Sequence, residues 1–155
     1  VGADLGIKGR PFKRMGNKTL DALDPVFAVT WQDVGNTRFS GDEVNDTPQS
    51  VSAGMALHPE FNRFKSIFAI DMRDINRRTD WLTKLHVGYE ISAPDLGILR
   101  DASVRVGLNQ GYLTAGLGLD LRFFKINLAT WGREVGTVSR QKQNRMYGVQ
   151  LAAGF

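Results

Sequence analysis

Lys84, His86 and Glu90 occupy alternate-face positions of one stretch, and Asp120, Arg122 and Lys125 cluster further along the chain. A histidine beside an acid is the raw material of general acid–base catalysis, and a hydroxyl in reach would complete a hydrolase. No serine here lies in a strand-to-helix elbow, so catalysis is the weaker reading and no enzyme is expected. His58 precedes Pro59 in a connecting segment. With two histidines far apart and no cysteine, the chain offers no metal-ligand spacing and no thiolate chemistry. The glycines of GLNQGYLTAGLG (107–118) precede no strand-to-helix transition, which argues against a phosphate loop. DEVND (42–46) is acidic but lacks the spacing of a calcium loop. No cofactor and no metal are expected. The charged residues read better as paired charges on strand faces, with Asp71–Arg73, Glu90–Arg105 and Asp120–Lys125 as candidate pairs.

The elements that must position these groups are strands. Alternation of apolar with small or polar residues runs through Pro25–Gly35, Gln49–Leu57, Phe64–Asp74, Leu82–Ser92, Asp101–Asn109, Tyr112–Phe123, the stretch around Ile126 and Leu128, and Arg145–Phe155. Val1–Lys8 has the look of a strand's tail, which makes nine candidates. Essentially no helical period lies between them. The connections are Arg10–Asp24, Asn36–Pro48, His58–Arg63, Ile75–Trp81, Ala93–Arg100, Gln110–Gly111, Phe123–Phe124 and Gly132–Asn144. Sequential short strands with alternating short and long connections predict an antiparallel up-and-down meander.

The net charge is +4 with the basic residues scattered, so no nucleic-acid partner is expected. No run approaches 18 apolar residues, which excludes a spanning helix but not spanning strands. On the strands, Lys84, His86, Glu90, Arg105, Asp120, Arg122, Lys125 and Asn127 share one class of face, and the opposite faces are almost wholly aliphatic or aromatic. A soluble sandwich and a membrane barrel both produce this alternation. The charged face is also rich in glycine (Gly88, Gly107, Gly116, Gly118, Gly148, Gly154). Glycine inside strands weakens them and marks curvature or close packing. A lumen filled by loops or a plug would give it a reason.

The closing stretch RMYGVQLAAGF (145–155) alternates and stops on Phe155. It resembles the C-terminal strand of bacterial outer-membrane β-barrels, which is read by the barrel-assembly machinery. That resemblance places the C-terminus in the periplasm of a Gram-negative envelope. Alternating strand directions then gathers Trp31, Trp81, Tyr112, Trp131 and Tyr147 at the outer rim. Phe27, Phe61, Phe64, Phe123, Phe124 and Phe155 gather at the inner rim. Aromatic girdles at both interfaces are what membrane barrels build. The expected architecture is therefore an all-β, antiparallel up-and-down transmembrane β-barrel of about eight or nine strands in this stretch. Single-chain bacterial barrels have even strand counts. An odd count, with no initiator Met or signal segment, leads us to expect residues 1–155 to be the C-terminal part of a larger barrel, lacking N-terminal strands and any plug. If Val1–Lys8 is not a strand, a complete eight-stranded barrel is the alternative.

WQDVGNTRF (31–39), VRVGLNQGYLTAGLGLDLRFFKINLATWG (104–132) and the closing strand together resemble the C-terminal region of an outer-membrane family. Its members are like the long-chain fatty-acid transporter barrels and the conjugal-transfer TraF-like envelope proteins. The resemblance implies location and architecture. It leads to two functional expectations: passive transport of a hydrophobic or small solute past Lys84, His86, Glu90, Arg105, Asp120, Arg122 and Lys125, or a scaffold barrel anchoring an envelope assembly through a protein partner. Outer-membrane lipid and lipopolysaccharide are the expected surroundings. The basic stretches NRR (76–78) and RQKQNR (140–145) are either solvated loops or contacts for lipopolysaccharide phosphates.

Overall fold

Alternating side chains commit this chain to strands, and the strands form one sheet. The computed structural model describes residues 2–13, 15–36, 46–136 and 142–154. Its strands are β1 (Leu5–Gly9), β2 (Val26–Gln32), β3 (Ser50–Leu57), β4 (Glu60–Phe61), β5 (Phe64–Met72), β6 (Leu85–Leu96), β7 (Leu99–Asn109), β8 (Tyr112–Leu121), β9 (Phe124–Glu134) and β10 (Gln143–Ala153). Every pairing is antiparallel, and the sheet order is β1-β2-β3-β5-β6-β7-β8-β9-β10, with the two-residue β4 beside β5. The all-β up-and-down meander read from the sequence is the fold observed. The sheet is open, with β1 and β10 at its edges.

The hairpins follow turn chemistry. Gln110 and Gly111 both have positive φ, 55° and 82°, as the primed turn of a two-residue hairpin requires. Elsewhere local chemistry overrode the alternation pattern. The connection expected over Ala93–Arg100 shrinks to Gly97–Ile98, because Asp95 (φ 55°) and Gly97 (φ 78°) reverse the chain sharply. Pro94 is tolerated in β6 because it lies beyond the last β5–β6 pair, Lys65 with Ser92. The strand expected from Leu82 begins at Leu85 instead. Asp80 accepts a bond from Leu82 N (3.4 Å) and caps one helical turn, α2 (Trp81–Lys84). Arg10–Asp24 likewise contains α1 (Lys18–Leu23), where Asn17 Oδ1 accepts from Thr19 N (3.0 Å) and Leu20 N (3.3 Å) and Asp24 ends the helix in the left-handed region. His58–Arg63 folds into a small hairpin around Asn62 (φ 57°).

Among the described residues no second layer covers this sheet, and Pro25 and Val26 are the buried apolar side chains. In the register, one face carries Phe27, Val29 and Trp31; Val51, Ala53 and Met55; Phe68, Ile70 and Met72; Val87, Tyr89 and Ile91; Val104, Val106 and Leu108; Leu113 and Leu117; Ile126 and Leu128; and Tyr147, Val149 and Leu151. Tyr147, Val149 and Leu151 are 79%, 70% and 72% exposed.

Glycine on the other face makes room within the sheet itself. Asp71 lies over Gly54, Arg105 beside Gly116, Ser103 and Asn127 over Gly118, and the Trp131 ring over Gly148. Large side chains of neighbouring strands lie flat across the sheet where glycine leaves room. Gly107 is set by backbone: a Cβ there would meet the Val87 carbonyl oxygen at 2.4 Å, whereas a Cβ at Gly88 would meet open space. Gly107→Val should therefore cost about 1–3 kcal/mol of stability, and Gly88→Ala should be near neutral, as read from urea unfolding midpoints in detergent micelles.

Candidate functional site

The polar face is the candidate site, and its side chains are set in rows by the β5–β9 register. One row joins Asp71, His86 and Asn109. The next holds Ala69, Gly88, Gly107 and Thr114, and the one after it Ile67, Glu90, Arg105, Gly116, Ala129 and Gly148. Below these come Lys65, Ser92, Ser103, Gly118, Asn127 and Gln150, and then Asp101, Asp120 and Lys125.

Two of the three expected charge pairs form. Glu90 and Arg105 are directly opposed, and Arg105 Nε donates to Glu90 Oε2. Arg105 continues the chain of contacts by donating to Asn127 Oδ1 at 3.4 Å, and Asn127 donates to Gln150 Oε1 at 3.4 Å. The contacts thus cross from β6 to β10, passing β8 where that strand carries only Gly116 and Gly118. Lys125 Nζ lies 3.3 Å from Asp120 Oδ2 on the facing strand. Asp71 and Arg73 form no ion pair among the described residues; Asp71 turns over Gly54 instead.

Two expected lining residues, Lys84 and Arg122, stand apart from these rows. Lys84 sits in α2, where its ammonium donates to the carbonyls of Ile75 (3.3 Å) and Arg77 (2.5 Å). Arg122 occupies the exposed turn between β8 and β9. His86 keeps its row but makes no side-chain hydrogen bond among the described residues, and its Nδ1 is buried. Without a bonded acid or hydroxyl it lacks the geometry of a nucleophile–base pair. No three His, Cys, Asp or Glu side chains among the described residues come together as metal ligands.

Strand direction places the expected aromatics at two ends. Trp31, Trp81, Tyr112, Trp131 and Tyr147 lie where β2, β7 and β9 finish and β3, β6, β8 and β10 start. Phe27, Phe64, Phe123 and Phe124 lie at the other end; Phe155 falls outside the described residues. Their surroundings differ. Trp31 and Tyr147 are on the apolar face, and Trp31 Nε1 donates to Gln49 Oε1 at 3.0 Å. Trp81 is 62% exposed in α2. Trp131 shares the polar face with Gly148. Tyr112 donates to Glu134 Oε2 at 2.5 Å, and Glu134 Oε1 accepts from Gly136 N and Lys142 N, both at 2.7 Å. This Tyr112–Glu134 clasp joins β8 to the β9–β10 connection, and sequence alternation gave no sign of it.

The basic stretch 76–78 is partly consumed within the fold. Asn76 donates to Gln49 O (2.9 Å) and accepts from Val51 N (3.0 Å), while Arg77 donates to Pro48 O (3.0 Å) and pairs with Asp74 (3.1 Å). Residues 42–45, most of the acidic stretch DEVND, and Arg140 and Gln141 of the second basic stretch lie outside the described residues. The chain matches no family model, no curated protein and no solved structure.

The Glu90–Arg105 pair is half exposed, so its coupling should be small, about 1 kcal/mol or less. A double-mutant cycle with Glu90→Gln and Arg105→Gln, followed by urea unfolding, measures it. A coupling of several kcal/mol would mean that the pair is desolvated by something covering this face.

Proposed function

We propose that this sheet is part of the wall of an outer-membrane β-barrel, with its apolar face against lipid and its polar face lining a passage for small solutes. The observation that carries the reading is the continuous apolar face on a single-layer sheet. Burying one large apolar side chain is worth about 1.5–3 kcal/mol, and soluble monomers rarely leave a contiguous apolar patch beyond a few hundred Å² uncovered. Hydrocarbon would cover this face and leave the polar face to water.

Three features support it further. The long strands β6 to β10 have 12, 11, 10, 11 and 11 residues, enough to cross a bilayer at the usual tilt. Trp31, Trp81, Tyr112, Trp131 and Tyr147 gather at one end and Phe27, Phe64, Phe123 and Phe124 at the other, with Phe68 and Tyr89 between them on the apolar face, as interfacial belts would. Two of the three motifs similar to the fatty-acid-transporter-like and TraF-like barrels, 104–132 and the closing stretch as far as Gly154, lie on β7 to β10 and their connections.

Closure is part of the proposal. β1 and β10 run in the same direction, so an all-antiparallel ring needs an odd number of further strands beside them. A charged, hydrogen-bonded lining favours small hydrated solutes over a hydrophobic cargo on this face.

The test is gel mobility of the membrane-extracted protein before and after boiling. A closed barrel resists SDS and migrates anomalously until heated, so a heat-dependent shift is expected. Absence of a shift, with the protein in the soluble fraction, would sink the membrane reading and leave a sheet covered by another protein layer.

A further inference from the structure

We infer that the Glu90–Arg105 pair sets the charge balance, and so the ion selectivity, of the passage at mid-height on the polar face; this rests on reading that face as the lumen. In β6 to β9 these are the two charged side chains at mid-strand on that face. Asp71 and His86 lie toward the Trp/Tyr end, and Lys65 and the Asp120–Lys125 pair toward the Phe end. Beside the pair Gly88, Gly107, Gly116 and Ala129 project little or nothing, while Ile67 flanks Glu90 and the Trp131 ring lies over Gly148. The charged groups at this level are therefore the guanidinium and the carboxylate.

The arm is also oriented. Nε is engaged by Glu90 and one terminal nitrogen reaches Asn127 at 3.4 Å. The other terminal nitrogen lies along Gly118, where an added Cβ would stand 3.5 Å from it, and among the described residues no hydrogen bond engages it. Half-exposed side chains (44% for Arg105, 29% for Glu90) present both charges to water. Charged side chains lining a pore decide which ion sign enters easily. The opposite charges nearly cancel here, so removing either one exposes the other.

Reversal potentials in planar bilayers under a potassium chloride gradient test this. Arg105→Gln should shift the permeability ratio toward cations, and Glu90→Gln should shift it toward anions. Each shift should be on the order of threefold, the scale of one water-screened unit charge at short range. The double variant should return near the wild-type ratio, and Arg105→Lys should keep it. The heat-dependent gel shift identifies variants that fold. Folded single variants with wild-type selectivity would overturn the assignment, as would Arg105→Lys behaving like Arg105→Gln. A wild-type protein that shows the gel shift but conducts nothing would remove the transport reading itself.

Discussion

The sheet has an apolar face with no layer of described residues against it, and this constraint governs the rest of the structure. A domain ordinarily buries apolar surface between two packed layers. Here Pro25 and Val26 are the buried apolar side chains among the described residues, so stability cannot come from a conventional core. It comes from the strand ladders and from contacts along the sheet. An environment that covers the apolar face is required as well. Strand-to-strand ladders pair most of the sheet's backbone, except at the outer edges of β1 and β10 and where a strand overhangs its neighbour, as β6 does past Ser92 and β8 before Ala115; internal pairing is what hydrocarbon demands of a spanning structure.

Within that constraint the polar face solves a geometric problem. Long side chains on a sheet wall would ordinarily stand away from it and crowd whatever lies opposite. Glycine on the neighbouring strand lets them lie down. Asp71 over Gly54, Trp131 over Gly148 and Arg105 beside Gly116 are three instances. The same device carries the contacts from Glu90 through Arg105 and Asn127 to Gln150, because β8 contributes no side chain larger than a hydrogen at Gly116 and Gly118. Glycine's cost to strand propensity is thus offset by flat packing of polar groups. At the Trp/Tyr end the connections are tied down differently: Asn76, Arg77 and Lys84 hold backbone carbonyls, and Tyr112 clasps Glu134.

Much of the fold was legible because a strand's period is two and a hairpin's turn has its own residue chemistry. Phe64–Asp74, Asp101–Asn109 and Tyr112–Phe123 match β5, β7 and β8 closely, and Gln110–Gly111 is the turn its residues predicted. The misses have local causes. Asp80 and Asn17 cap helical turns that alternation alone conceals. Pro94 and Asp95 looked like loop residues but lie in β6, since a strand reaching past its neighbour has fewer ladder bonds to lose.

From the sequence alone came the strands, the meander, the two faces and the ends at which aromatics gather, because each depends only on alternation and on order along the chain. Which charges meet depended on lateral register, and that is a tertiary property. Glu90 opposes Arg105, and Asp120 opposes Lys125, because hairpin turns fix those offsets. Lys84 and Arg122 left the rows because a helical turn and a hairpin turn claimed them. What lies over the glycines was likewise decided in three dimensions: side chains of the next strand over Gly54, Gly118 and Gly148, a backbone carbonyl at Gly107, and no period along one strand records its neighbour.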